Sequence, residues 1–183
     1  MRLLTFALVA VMAIGITIGC SRQRANTPAA KDNVEQALKA QGMNDINVDE
    51  DRDKGVVTLK GDVQSDDQKQ QAAQVAQQAA PGRVIANEIA VRPQGAEGTA
   101  KDIQSNTDDA IESHFKAAVA ANHWKNQHIR FDAKNGVLTL KGDVDTPAER
   151  AEVEKTAAGI PGVQQVVNEL QVKGHKGAAS GGR

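Results

Sequence analysis

The residues of this chain that could do chemistry are few and scattered. Cys20 is the only cysteine, so no internal disulfide can form in a monomer. The histidines have no metal-ligand spacing, and no carboxylate cluster accompanies them: His114, His123, His128 and His175. The sequence also lacks a nucleophile elbow, a phosphate loop and a zinc motif. We therefore expect no catalytic site, no metal, no cofactor and no small-molecule substrate, and predict that the chain is not an enzyme.

Composition excludes further classes of partner. The net charge of the 183-residue chain is −1, so no overall field attracts nucleic acid or anionic lipid. With three Phe, one Trp and no Tyr, the chain has too few aromatic rings to build stacking platforms for bases or sugars. The core must be made of Val, Ile, Leu and Ala, and the length suits one domain or two small ones. We expect no nucleic acid among its partners.

The context of Cys20 explains the lone thiol. A basic Arg2 is followed by an apolar run, residues 3–18, which has the length of a signal-peptide core and is short for a membrane span. The run ends in Thr17-Ile18-Gly19-Cys20, which resembles a bacterial lipobox, where cleavage before the cysteine leaves a thiol that carries diacylglycerol. Thr17 departs from that pattern, since an aliphatic residue is usual there.

We therefore predict a signal peptide over 1–19, lipidation at Cys20 and a polar tether over 20–29. Several acyl chains would hold the protein durably, because each buried methylene contributes about 0.8 kcal/mol. Two alternatives stay open, an ordinary secretory signal and an uncleaved membrane anchor. Ser21 after the cysteine favours the outer membrane if the source is Gram-negative.

An internal repeat divides the rest of the chain. The segment Gly55-Val56-Val57-Thr58-Leu59-Lys60-Gly61-Asp62-Val63 recurs 81 residues later with eight of nine residues identical. Asn87-Glu88-Ile89-Ala90-Val91 recurs at the same offset as Asn168-Glu169-Leu170-Gln171-Val172, and a Pro-Gly pair precedes both copies. We predict two homologous modules at 30–92 and 107–173, joined by a linker over 93–106, with a disordered tail over 174–183.

Each module has the predicted order α-β-β-α-β, so the fold class is α+β. Gly42 should end the first helix, Thr107 should cap its counterpart, and Lys54-Gly55 and Asn135-Gly136 mark hairpin turns. Ser65 and Thr146 begin capping boxes of the second helices. Each module should be a three-stranded sheet with both helices on one face. The opposite face should be wetter, since it carries Thr58, Lys60 and Asp62 in module 1 and Thr139, Lys141 and Asp143 in module 2.

Two repeated pairs of residues interrupt the apolar face of the strands. Gly61 and Gly142 lie in phase with buried positions, which indicates a β-bulge or the close approach of a helix. Asn87 and Asn168 also lie in phase with apolar residues. Because a buried amide must find partners, we expect these two side chains to satisfy nearby backbone groups.

The pattern as a whole resembles the BON domain, a bacterial module named for osmotically inducible and nodulation proteins. The hairpin strand with its glycine, the Pro-Gly pair and the Asn-x-[Ile/Leu]-x-Val ending carry the resemblance, which covers both modules. A lipobox followed by two such modules is similar to the dual-BON lipoproteins of the bacterial envelope. The resemblance implies an α-β-β-α-β fold, a periplasmic location, phospholipid binding and a role in envelope integrity or osmotic stress.

Trp124 is the candidate for membrane contact. A helix continued to this residue would place Trp124 about 170° from the stripe of Ile111, Phe115 and Val119, and neighbouring cations would suit a membrane interface. In dual-BON lipoproteins this helix is associated with lipid contact, which makes Lys116, His123, Trp124 and Lys125 the candidate patch. The alternative is that the helix ends near Asn122 and Trp124 folds back onto the core.

Two functions follow as hypotheses. In the first, a lipid-anchored protein on the periplasmic face of the outer membrane contacts phospholipid through one module. In the second, it is a periplasmic stress or assembly adaptor that binds envelope proteins and touches lipid only through its anchor.

Overall fold

The computed structural model describes residues 29–122, 124 and 128–173. The predicted signal peptide, Cys20 and the tail over 174–183 lie outside the described residues. Module 1 consists of α1 (Ala30–Ala40), β1 (Asn47–Asp51), β2 (Val56–Val63), α2 (Asp66–Ala79) and β3 (Val84–Val91). Module 2 consists of α3 (Glu97–Ala121), β4 (His128–Lys134), β5 (Val137–Val144), α4 (Pro147–Ala158) and β6 (Gln165–Val172). The predicted α-β-β-α-β order and the α+β class are confirmed.

The described residues form two three-stranded sheets of the same topology. In each sheet the first two strands are antiparallel hairpin partners, and the third lies parallel to the second. The parallel strand requires a crossover, which α2 and α4 supply. In the second hairpin Asn135 and Gly136 have φ values of 49° and 81°, so both central residues of the turn are left-handed. This is the type I′ geometry that an Asn-Gly pair favours.

The helix ends follow the predicted signals closely. Gly42 has φ 77° and follows α1, while the amide of Met43 donates to Leu38 O at 3.0 Å, as in a Schellman motif. Thr146 and Glu149 form a complete capping box at the start of α4. At α2 the Ser65 hydroxyl accepts from Gln68 N, but the Gln68 side chain accepts from Gln64 N, so only half of the predicted box forms.

The start of α3 differs from the prediction. The helix begins at Glu97, ten residues before Thr107, so most of the predicted linker is helical. Thr107 does not cap the helix, and its hydroxyl instead donates to Ile103 O at 2.8 Å. Past Gly98 the segment contains no glycine or proline to stop a helix, and the threonine hydroxyl found a partner one turn back.

Each sheet packs its helices on one face. In module 1 Val34 and Leu38 of α1 meet Val57, Leu59 and the small residues of α2. In module 2 Ile111 and Phe115 of α3 meet Leu138 and Leu140. Phe115 also packs edge-on against Phe131, with ring centroids 4.9 Å apart and planes at 76°. The two cores are separate, as the repeat predicted.

The opposite faces of the sheets meet each other near the starts of β2 and β5 and are drier there than predicted, whereas Lys60 and Lys141 on the same faces are exposed as predicted. Val56 and Ala86 of the first sheet form a small buried cluster with Val137 and Val167 of the second. Thr139, predicted to lie on a wet face, is only 7% exposed, and Thr58 is half-buried. A pattern read within one module cannot reveal this contact, since the covering surface belongs to the other module.

Gly61 and Gly142 lie where the backbone of the paired strand comes unusually close. Their φ values are 137° and 116°. A Cβ on Gly61 would collide with the carbonyl oxygen of Asp45, just before β1, and a Cβ on Gly142 with that of His128, the first residue of β4. The close approach predicted from the sequence is therefore made by the backbone of the paired strand and not by a helix. Only glycine fits both the conformation and the space.

We predict that Gly142→Ala destabilises the protein by about 2 kcal/mol or more, since alanine adds backbone strain and a steric clash with His128 O. Equilibrium unfolding in urea measures the change. Gly98→Ala is the control, because Gly98 lies in α3 with open space around it, and alanine there should stabilise by up to about 1 kcal/mol. Equal stability of Gly142→Ala and the parent chain would contradict the steric account.

Candidate functional site

Trp124 lies in the core of module 2. The side chain is 5% exposed and belongs to the buried cluster that contains Phe115 and Leu140. The helix α3 ends at Ala121 with Asn122 as its cap, so the chain leaves the helical path before Trp124. The outward-facing arrangement is therefore wrong for Trp124, and the alternative in which it folds back onto the core is the one observed.

Of the remaining patch residues, Lys116 is exposed on α3, whereas His123 and Lys125 lie outside the described residues. Lys116 borders a shallow groove of about 450 Å³ between α3 and β4. The groove is lined by Asp109, Glu112, Ser113, Lys116 and Phe131. Two carboxylates and one ammonium group make this surface mixed in charge, so its sign does not by itself favour an anionic ligand.

Carboxylates of α3 also cap the free edge of β4. Glu112 accepts a hydrogen bond from Ala133 N at 3.0 Å, and Asp108 accepts from both Asn135 N and Gly136 N. The Ala133 amide would otherwise be open to pairing with another strand, whereas the Asn135 and Gly136 amides belong to the turn that follows β4. The acidic side chains beside Lys116 therefore have a structural role in holding α3 against the hairpin.

Asn87 and Asn168 occupy matching places in the two modules. Asn87 Nδ2 donates to Lys69 O at 2.9 Å, and Asn168 Nδ2 donates to the matching Arg150 O at 3.4 Å. Each amide thus ties the last strand of its module to the second helix. The oxygens differ, because Asn168 Oδ1 accepts from Leu170 N, whereas Asn87 Oδ1 is buried without a partner among the described residues.

The junction between the modules is approximately two-fold symmetric. The buried cluster pairs matching positions, Val56 with Val137 and Ala86 with Val167. Lys54 of module 1 binds Glu169 of module 2. At the matching positions Asn135 Nδ2 donates to Glu88 O at 2.7 Å. Such a reciprocal pattern is what two copies of one fold give when they pair through the same surface.

Two contacts at the junction break this symmetry. Lys69, which is 8% exposed, donates from Nζ to Asn135 O at 3.0 Å and to Gln164 Oε1 at 3.4 Å. Gln165 places its side-chain amide against the free edge of β3, where Oε1 accepts from Asn87 N at 3.1 Å and Nε2 donates to Ile85 O at 2.6 Å. A cavity of about 320 Å³ lies beside Lys69 and is bordered by Asn87.

Charges at the junction are unequally paired. Burial lowers the pKa of the Lys69 ammonium, and the more distant Asp66 and Asp108 only partly oppose this. Burial also raises the pKa of the Glu88 carboxyl, although Lys60 and Lys134 oppose the change. Its counterpart Glu169 is bound directly by Lys54, and this hydrogen bond raises the pKa of the Lys54 ammonium. Charged Glu88 therefore costs stability, whereas Glu169 forms an ion pair.

The described residues contain no group of histidine, cysteine and carboxylate side chains arranged to hold a metal ion. None of the described helices combines the length and apolar character needed to span a bilayer. Sequence reasoning identified Asn87, Asn168 and the paired glycines. It missed Lys69 and Gln165, for which the only available signal was the difference between the repeats, where Lys69 matches Arg150 and Gln165 matches Val84.

We predict that Glu88→Gln stabilises the protein at neutral pH, because it removes a charge that burial disfavours. A carboxyl whose pKa is raised on folding contributes stability below its ordinary value of 4.5 and loses it as the pH rises through the raised value. The advantage of the variant should therefore fade as the pH falls towards 4.5. Urea unfolding at several pH values measures this.

The matched control is Glu169→Gln at the equivalent position. It should destabilise by about 1 kcal/mol at neutral pH, since it removes the buried carboxylate that Lys54 binds and leaves Lys54 only the exposed Asp51 as an ion-pair partner. The same sign of change in both variants would contradict the unequal pairing.

Family models and relatives agree with this architecture. Residues 107–174 match the BON domain, and residues 30–92 match the YscD/CdsD-like Bon-like domain 2. Osmotically-inducible protein Y of Escherichia coli (strain K12) is 32% identical over 122 residues, which are 66% of this chain and 59% of that protein. The "Uncharacterized protein in gshII 5'region" of Anaplasma centrale is 31% identical over 67% of this chain and 79% of that protein.

Among solved structures, the C-terminal domain of CdsD, the structural protein of the type III secretion system of Chlamydia trachomatis, is 14% identical. The similarity covers 75% of this chain and 62% of that chain, with a TM-score of 0.30, which is too low to carry an argument. The sequence matches in both modules, together with the α-β-β-α-β order, identify the chain as a member of the BON-domain family.

Proposed function

We propose that this protein is a lipid-anchored protein of the bacterial cell envelope that supports tolerance of osmotic stress by binding. The observation that carries the proposal is the pair of BON-type modules, each built around its own core and joined through a shared face. The E. coli relative is named as osmotically inducible, which supports the stress role. Because this chain spans 59% of that relative, the role of the whole relative is carried over only as a proposal.

The proposed anchor is Cys20, on the periplasmic face of the outer membrane. The lipobox-like sequence at Thr17–Cys20 supports it, and Cys20 is the only thiol in the chain. A durable anchor would keep both modules at a bilayer surface, which suits a protein that works by contact.

We predict that the protein purified from membranes begins at Cys20 and carries several acyl chains. Intact-mass measurement checks this directly, and Cys20→Ser should remain unprocessed and unacylated. A mature chain free in the periplasm with an unmodified thiol would refute the anchor and leave the proposal of binding modules unaffected.

For the binding surface we propose the exposed face of α3 around Lys116. With Trp124 in the core, any contact with phospholipid there would rest on Lys116 and on residues outside the described part of the chain. An electrostatic contact with anionic headgroups weakens as salt rises, because exposed charges are screened over about 10 Å at 0.1 M ionic strength.

We predict that the chain with Cys20→Ser floats with vesicles of phosphatidylglycerol and phosphatidylethanolamine at low salt, and less at high salt. Lys116→Glu should reduce flotation several-fold, since it reverses the one described positive charge beside the groove. Lys155→Glu is the control, as Lys155 is exposed on α4 of the same module. Equal flotation of the two variants would reject the α3 face as the lipid contact.

One observation favours the second candidate, an adaptor that binds envelope proteins. The groove beside Lys116 also carries Asp109 and Glu112. These carboxylates, of which Glu112 also accepts a hydrogen bond from Ala133 N, suit a basic peptide segment better than an anionic lipid surface. Flotation that is absent at every salt concentration, together with crosslinking of envelope proteins at α3, would support this function over lipid binding.

A further inference from the structure

The junction between the modules has a small apolar part. Its buried cluster consists of three valines and one alanine, each close to the start of its strand: Val56, Ala86, Val137 and Val167. A cluster of this size supplies little hydrophobic free energy compared with the two module cores. Polar contacts must therefore contribute much of what keeps the modules together.

The contacts without a symmetric counterpart add to the symmetric ones, Lys54 with Glu169 and Asn135 with Glu88, in closing the junction. Gln165 bridges Ile85 O and Asn87 N, which are the groups that an added strand would use on β3. At the matching position of module 1, Val84 has no side-chain amide group, and it is 47% exposed. Lys69 reaches across to the turn of module 2, whereas Arg150 turns back to Asn168 O of its own module at 3.2 Å.

This closure is poorly optimised. Lys69 is buried without a carboxylate hydrogen bond among the described residues, and charged groups in that position carry a desolvation cost. Asn87 Oδ1 is buried without a partner among the described residues, and the pocket of about 320 Å³ that borders both residues is open to solvent. Because opening would relieve these costs, they reduce the free-energy difference between the closed state and an open one.

The chain also contains a short joint. Only residues 92–96 separate β3 from α3, and they include Pro93 and Gly95, whose φ is 82°. Pro93–Ala96 form a turn closed by the hydrogen bond from Ala96 N to Pro93 O at 3.0 Å. A few residues of this kind are enough to absorb a change in the relative orientation of two packed units.

We propose that the two modules open and close about residues 92–96, and that Lys69 and Gln165 form the latch that holds the closed state. Opening breaks the four latch hydrogen bonds and frees the edge of β3. Without the latch, closure depends on the apolar cluster and on the symmetric contacts, Lys54 with Glu169 and Asn135 with Glu88. The device is independent of which partner the protein binds.

The test exchanges the latch residues between the repeats. The latch variant combines Lys69→Arg with Gln165→Val. Each substitution introduces the residue found at the matching position of the other module, Arg150 or Val84, so both residue types already occur at that place in the fold. The reciprocal control is Arg150→Lys with Val84→Gln, which changes the same residue types away from the latch. Spin labels on cysteines introduced at the exposed Gln78 and Glu152, with Cys20→Ser, report the distance between α2 and α4 by pulsed electron resonance.

We expect one short distance for the parent chain and for the control. The latch variant should show an additional longer distance, with an open population raised at least about tenfold, as the loss of two or more hydrogen bonds implies. Circular dichroism establishes that each variant is folded. Gln165→Val alone repeats the test with one substitution, at the half-buried first residue of β6, and leaves Lys69 unchanged. Identical distances in the latch variant and the parent chain, or an equally mixed population in the parent chain, would overturn the latch.

Discussion

Each three-stranded sheet has two faces, and its one pair of helices covers only one of them. The need to cover the second face determines how the two modules are arranged. The helices cover the face that carries Leu59 or Leu140. The opposite face would remain wet if each module stood alone. The duplicated chain resolves this by turning the two uncovered faces towards each other. The contact at Val56 and Val137, together with the polar contacts around it, consequently joins the two modules into one unit.

Most of the fold within each module could be predicted from the sequence, because its signals are local. The Asn135-Gly136 pair specifies a left-handed turn, Thr146 and Glu149 specify a capped helix, and Gly42 ends one. The periodic Val and Leu residues then assign the buried face of each strand. The prediction was wrong where the neighbouring residues favoured a different structure from the one that a single residue type indicated. Thr107 has the type of a helix cap, but the residues before it continue the helix and its hydroxyl finds Ile103 O.

The candidate site was predictable in smaller part, for a physical reason that differs from residue to residue. Trp124 was projected from a regular helix, and the projection failed because α3 ends at Ala121. Lys69 and Gln165 carry no motif at all, since a lysine in a helix and a glutamine at a strand start are ordinary surface residues. Their burial depends on a partner surface far away in sequence, where only a comparison of the two repeats could have marked them as different.

The unbroken run of α3 from Glu97 to Ala121 has a mechanical meaning. A helix of 25 residues is about 37 Å long and resists twisting, so its first turns and module 2 turn together as one body about residues 92–96. Adding or deleting a single residue in its leading half would rotate everything downstream by about 100°. A change in the length of this helix would therefore misalign the face of module 2 that meets module 1.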